Sequence, residues 1–265
     1  MKVLAVVLSL ILALYAAVCR GFYLKQESLL FFPARLPADY RFRFPGRFTE
    51  QWITAPDGTR LHGLLFQADT VPANGLIFYL HGNGGALDSW GSVAPLYTRQ
   101  GYDLFLLDYR GYGKSQGRIS SEAQLHTDVE AAYQHLRPRY PESQTVVLGY
   151  SLGTGLAARL AAHHRPRLLM LQAPYYSLRD VASHHFPWVP GWLVRYPLRT
   201  HEQLPRVQVP IVVFHGDQDE VIPYESARKL RPLLKPTDRF VTLPHAGHNG
   251  MTDNTLYQQV LAEVL

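Results

Sequence analysis

The stretch Thr145–Gly155 reads TVVLGYSLGTG, a β-rich apolar run that leads straight into a serine with a glycine two positions to either side. Gly149-Tyr-Ser-Leu-Gly153 has the form G-x-S-x-G, and Leu152 to His163 behind it carries a helical pattern. A serine at a strand-to-helix junction sits on a turn so tight that its backbone is strained. The residues two away must lack bulk, so that strand and helix can approach each other. A glycine-rich loop with an incidental serine would not require the strand on one side or the helix on the other.

Working outward, the same alternation fills the chain. GLIFYLHG, YDLFLLDYRG, RLLMLQAP, PIVVFHG and RFVTLPHAG are continuous apolar runs, as expected of strands buried on both faces. Helical patterns are expected over 89–99, 121–136, 152–163, 224–234 and 252–265. Within the second of these, Leu125, Val129, Ala132, Tyr133 and Leu136 recur at i, i+3, i+4 spacing. Upstream, QWITAPDGTRLHGLLF is two β-rich runs around Asp57-Gly58, a hairpin signal. Strands alternating with helices predict an α/β fold, a mostly parallel sheet flanked by helices. The segment 175–209 breaks the rhythm. It carries FPWVPGW, in which Trp and Pro recur too closely for a regular helix, and it is expected to form a small cap inserted between two strands.

The 265 residues suit one large domain, and 47% hydrophobic with 18% charged residues is ordinary globular composition. A net charge of +5 without any Lys/Arg run argues against nucleic-acid binding. One cysteine, Cys19, excludes a disulfide framework and a cysteine-based metal site, and there is no H-E-x-x-H. The amino terminus is the outlier. Val3 to Cys19 is an uncharged run of 17 residues, followed by Arg20 and by Phe22, Tyr23 and Lys25, which resemble interfacial anchors. Residues 1–25 are therefore read as a retained single-pass membrane anchor, with a cleaved signal sequence as the alternative, and 26–265 as the globular domain. Lys2 precedes the run while Arg20, Lys25 and Arg35 follow it, which leaves the orientation open.

A serine nucleophile needs a base, and the base needs an orienting acid. FHGDQDEVIP follows a strand and offers Asp217, Asp219 and Glu220; LPHAGHNG follows the last strand and offers His245 and His248. Both groups lie where open α/β sheets place their sites, at the carboxyl ends of strands, and they follow the chain order Ser, acid, His. Two other motifs fail. Gly113-Lys-Ser115 has Asp108 where the phosphate-loop glycine belongs, and Gly82-x-Gly84 is followed by Leu87 where the dinucleotide fingerprint needs a third glycine.

Taken together, QESLLFFP, YLHGNGG, LDYRGYGKSQG, LGYSLGTG, SLRDVASHHFPWVP, FHGDQDEVIP and AGHNG resemble the α/β-hydrolase superfamily over nearly the whole chain. More narrowly they are similar to its membrane-anchored serine hydrolases, which include protein depalmitoylases and lysophospholipases. The resemblance implies Ser151 as nucleophile, Asp219 as acid with Asp217 second, and His248 as base with His245 a distant second. Gly250 departs from the aspartate that relatives often carry. An oxyanion hole is expected from the backbone N–H of Leu152 and that of Asn83, with Gly84 as the alternative. The implied activity is hydrolysis of carboxylic ester or thioester bonds, with lipid-like acyl groups suggested by the anchor and by Phe186, Trp188, Val189 and Trp192 in the cap. No cofactor or metal is called for. Amide cleavage by an aminopeptidase-like relative is the second reading, and a non-catalytic protein on the same scaffold the third.

Overall fold

The computed structural model describes all of residues 1–265. Helix α1 (Lys2–Leu24) and the short α2 (Gln26–Leu30) precede the sheet. Eight strands follow: β1 (Phe48–Thr54), β2 (Arg60–Phe66), β3 (Gly75–Leu80), β4 (Tyr102–Asp108), β5 (Thr145–Tyr150), β6 (Leu168–Gln172), β7 (Ile211–Gly216) and β8 (Arg239–Leu243). They form one sheet in the order β1-β2-β4-β3-β5-β6-β7-β8. The hairpin β1–β2 and the β2–β4 pair are antiparallel, and every pair from β4 to β8 is parallel.

Side chains along each central strand alternate between two cores, one for each face of the sheet. In β3, Leu76, Phe78 and Leu80 enter the larger core, while Ile77 and Tyr79 enter the other. Leu148 and Val147 in β5 divide the same way, as do Val213 and Phe214 in β7. The period of two explains why these strands read as unbroken apolar runs: neither face meets water.

Helices cover both faces. After β3 come α3 (Leu87–Trp90) and α4 (Ala94–Thr98), where one helix over 89–99 is expected. A 3-10 turn at Gly91–Val93 separates them. Gly91 lies against the Phe44 ring with no room for a Cβ, and Pro95 starts the second piece. Helices α5 (Glu122–Leu136) and α6 (Leu152–His163) match their sequence patterns, and the Ser121 hydroxyl caps α5 by accepting the Gln124 N–H at 3.1 Å. In the 175–209 segment lie α7 (Leu178–His185), a 3-10 turn at Gly191–Leu193 and α8 (Thr200–Gln203). Helix α9 (Tyr224–Arg228) is shorter than expected because Pro232 cannot continue it, and α10 (Thr255–Val264) closes the chain.

Chain order and sheet order diverge at β3. The chain passes from β3 to β4 on one side and returns to β5 on the other. The crevice at the carboxyl ends of β3 and β5 is thus the topological switch point, where ligands bind in open α/β sheets. Helix α1 is long and apolar enough to cross a membrane, and within it only Cys19 is buried.

Candidate active site

Ser151 stands on the one-residue turn between β5 and α6. Its φ of 48° and ψ of −115° place a non-glycine residue in a sparsely populated conformation, which costs about 1–3 kcal/mol. The surroundings hold it there. The Ser151 N–H donates to the Gln172 carbonyl of β6 at 2.8 Å, and the Ser151 carbonyl accepts the Thr154 hydroxyl at 2.6 Å. The bracketing glycines are dictated by contact: a Cβ on Gly149 would strike the backbone of Gly153 and Thr154, and one on Gly153 would strike the Leu80 and His81 carbonyls. Ser151 is 6% exposed.

Beyond β7, Asp219 turns back on its own loop. Its Oδ1 accepts the N–H groups of Val221 at 2.9 Å and Ile222 at 2.8 Å. Its Oδ2 faces His248 Nδ1 at 2.8 Å and His215 Nε2 at 3.3 Å. Burial alone would push this carboxyl up, but contacts from His215 and His248 and the Ile222 N–H outweigh it, so Asp219 is held well below the usual carboxylate range. An ionised carboxylate only accepts hydrogen bonds, so the proton of neutral His248 belongs on Nδ1 and the lone pair on Nε2. That is the tautomer a general base requires. No hydrogen bond joins Ser151 Oγ to His248 in this structure, a contact that in unliganded hydrolytic sites commonly tightens only with substrate.

The alternatives from the sequence fall elsewhere. Asp217 Oδ1 accepts the His245 N–H at 2.7 Å, so these two residues pin one turn to another. Ser115 is buried, donating to the Asp108 carbonyl at 2.7 Å and accepting the His62 N–H at 2.8 Å. Gly250 adopts φ 76°, a left-handed conformation that suits glycine better than the aspartate expected there.

On the opposite wall, Leu152 is the first residue of α6, so its N–H has no partner within the helix. The Asn83 N–H also has no hydrogen-bond partner, whereas the Gly84 N–H is taken by Asn83 Oδ1 at 3.0 Å. Between the two expected donors, Asn83 is therefore the free one. Its side chain adds something the sequence did not disclose. Oδ1 also accepts the Tyr112 hydroxyl at 2.9 Å and the Phe32 N–H at 3.1 Å, and Nδ2 donates to the Leu30 carbonyl. The loop after β3 is thus tied to the segment that leaves α2.

Two more residues escaped the sequence reading. His215 backs Asp219, and the Tyr150 hydroxyl donates to the His248 carbonyl. Burial pushes the Tyr150 phenol far above its ordinary value and keeps it a donor. The signal for His215 was present, as a polar residue at the end of the apolar run IVVFHG. Tyr150 occupies a variable position of its motif and gave none. A cavity of about 260 Å³, lined by Trp90, Tyr150, Asn249 and Gly250 among others, opens beside the histidine loop. The larger cleft between α5 and α6, about 510 Å³, touches none of the candidate residues. No three His, Cys, Asp or Glu side chains are grouped to hold a metal.

A family model described as the α/β hydrolase fold matches residues 75–204, which contain both Asn83 and Ser151. The uncharacterized protein YfhR of Salmonella typhi is 30% identical over 215 residues, covering 74% of this chain and 73% of its own. The chain belongs to the α/β hydrolase family. This α/β hydrolase is also similar to the lysophosphatidylserine lipase ABHD12 of Macaca fascicularis, with 27% identity over 189 residues, 63% of this chain and 47% of that protein. Among solved structures it resembles an esterase from Pyrococcus furiosus, with a TM-score of 0.70, 18% identity, and coverage of 89% of this chain and 97% of that one.

Proposed function

We propose that this α/β hydrolase is a membrane-anchored serine esterase. The observation that carries the reading is the Asp219–His248 pair. A carboxylate held ionised fixes the imidazole in the tautomer whose Nε2 accepts a proton, at the same carboxyl end of the parallel strands as a serine forced into an elbow. In the reaction, Ser151 Oγ attacks the acyl carbonyl carbon while its proton passes to His248 Nε2. The carbonyl oxygen becomes an oxyanion, held by the N–H groups of Leu152 and Asn83; losing one such donor typically costs about 10²–10³ in rate. Collapse of the intermediate breaks the bond to the leaving alcohol or thiol, which takes the proton from His248. Water then repeats the sequence and releases the acid. Asp219 stays ionised and stabilises the imidazolium without taking its proton. The chemistry calls for no metal or cofactor.

Residues 1–25 serve as the anchor, 26–265 as the hydrolase domain, and 175–209 as its cap. Esterase-like solved neighbours and a lipase among the relatives support ester substrates, and the anchor favours acyl groups presented at a membrane. The sequence suggested that the cap aromatics shelter an acyl chain. In the structure Phe186, Trp188 and Trp192 are exposed, and the first two meet Phe22 of α1. Acyl binding is therefore assigned to the crevice at Ser151 and not to these rings.

The test is turnover of a series of acyl esters by the full chain, with the matching amides in parallel. Ser151→Ala lowers ester turnover by about 10⁴ or more while the protein stays folded. Efficiency keeps rising past about eight acyl carbons as further methylenes are buried. Undiminished turnover in Ser151→Ala would refute the mechanism. Faster cleavage of the amides would move the protein to the peptidase-like class.

A further inference from the structure

The cap does not stand clear of α1. The Tyr15 hydroxyl donates to the Trp188 carbonyl at 2.8 Å, and Phe22 meets the rings of Trp188 at 5.4 Å and Phe186 at 6.1 Å. A groove of about 620 Å³ between helix and cap is lined by Tyr15, Cys19, Tyr23, Trp192 and Leu193 among others. Tyr15, Cys19 and Phe22 stand at i, i+4 and i+7, so the contact follows one face of α1 for two turns, along the helix axis.

That register sets a depth. Arg20 is the first charge after the uncharged run, and it marks the level at which a spanning α1 leaves the hydrocarbon. Tyr15 lies five residues earlier, about 7–8 Å deeper at 1.5 Å per residue. Helical side chains lean toward the N-terminus, so the Tyr15 hydroxyl, and the Trp188 carbonyl it meets, lies no shallower, while the Trp188 and Phe186 rings pack on Phe22, nearer the level of Arg20. An interfacial element buries its apolar face about 5–10 Å into the boundary between headgroups and acyl chains. The cap residues between the levels of Tyr15 and Phe22 have the matching chemistry, with Phe186 45%, Trp188 48% and Trp192 75% exposed. Tryptophan is the side chain enriched at that boundary.

We infer that the cap tip, Phe186 to Trp192, is seated in the leaflet through which α1 emerges, so that the hydrolase domain lies on the bilayer instead of swinging above it. The inference rests on the anchor reading. Its occupant is a lipid surface, because the apolar patch continues directly onto the spanning helix. The seating reaches the site: His185, next to Phe186, contacts the Val221 carbonyl at 3.0 Å, two residues from Asp219.

The experiment uses the full chain in phosphatidylcholine vesicles carrying lipids brominated at successive acyl carbons, with tryptophan emission as readout. The chain holds four tryptophans, Trp52, Trp90, Trp188 and Trp192, so shallow bromines should quench roughly half of the emission. The quenching should survive Trp52→Phe and vanish in Trp188→Phe/Trp192→Phe. A spin label at Trp192→Cys in a Cys19→Ala background should report the same shallow depth without relying on both substitutions. Flotation of the protein with the vesicles is scored first. If it does not float, the anchor reading fails and this inference with it. If it floats but neither probe senses lipid, the inference fails and the anchor stands. Unquenched tryptophans together with a cross-linked dimer through position 192 would overturn it in favour of a second copy of the chain.

Discussion

Two histidine–aspartate groups lie at carboxyl ends of this sheet, and they are built in opposite ways. At the β7–β8 edge, Asp219 has four partners and is driven toward the ionised form. At the end of β4, Asp108 lies 3.6 Å from His62 Nδ1 and 3.8 Å from His81 Nε2, and one oxygen accepts only the Leu87 N–H at 3.2 Å. Its Oδ2, His62 Nδ1 and His81 Nε2 are buried without a hydrogen bond. Burial pushes the Asp108 carboxyl up and the His81 imidazole down, so both are driven toward neutrality. The same residue types thus give a polarised pair in one place and uncharged packing in the other. The closeness of the histidines decides first: His215 and His248 reach Asp219 Oδ2 at 3.3 and 2.8 Å, with the Ile222 N–H adding to them, whereas the histidines around Asp108 stand 3.6 and 3.8 Å away.

The largest separation between the two groups is in rate. Asp219→Asn should lower ester turnover by about 10³–10⁴, since the amide no longer enforces the Nδ1–H tautomer. Asp108→Asn should change turnover by less than about tenfold, its effect appearing in stability instead. Comparable rate losses would erase the distinction. Between these extremes, Asn83→Ala keeps its backbone N–H but frees the loop from Tyr112, Phe32 and Leu30. It should lower kcat by roughly 10- to 100-fold through misplacement of that donor, with little change in KM. A loss confined to KM would mean that the loop binds substrate and does not hold the oxyanion.

The smallest effect is a difference in acid stability, and its sign follows from the two shifts. Folding favours ionised Asp219, so its contribution is complete above the unfolded aspartate value of about 3.9 and is lost as the pH falls below it. Folding disfavours ionised Asp108, so its contribution is best below about pH 3.9 and declines as the pH rises through its folded value. The Tm deficit of Asp219→Asn should therefore be larger at pH 7 than at pH 3, and that of Asp108→Asn smaller. Thermal melts of the three proteins at both pH values check the ordering.

Much of this was legible in the sequence, for identifiable reasons. Buried parallel strands are continuous apolar runs, and the elbow declares itself because only glycine tolerates the approach of β5 to α6. The helices that were misjudged, 89–99 and 224–234, were misjudged where a tertiary contact or a proline overrode the periodicity: Phe44 against Gly91, and Pro232. In the site, the residues proposed to react are readable from chain order and position after strands, but their supports are not. Nothing local says that Asn83 will hold the segment behind α2, that Tyr150 will donate to the His248 carbonyl, or that Asp108 Oδ2 will be buried without a hydrogen bond. Those are pairings between distant residues, such as Asn83 with Leu30 and Tyr150 with His248, and they exist only once the chain is folded.

The central claim is that Ser151 is the nucleophile, and a fluorophosphonate probe addresses it without any choice of substrate. Such a probe reacts with a serine whose hydroxyl is activated by a neighbouring base. Mass spectrometry of the labelled, digested protein should find the adduct on the peptide containing Ser151, and no adduct in Ser151→Ala. Asp219→Asn should label far more slowly, and Asp108→Asn at close to the wild-type rate. An adduct that persists in Ser151→Ala, or that maps to Ser115, would contradict the account.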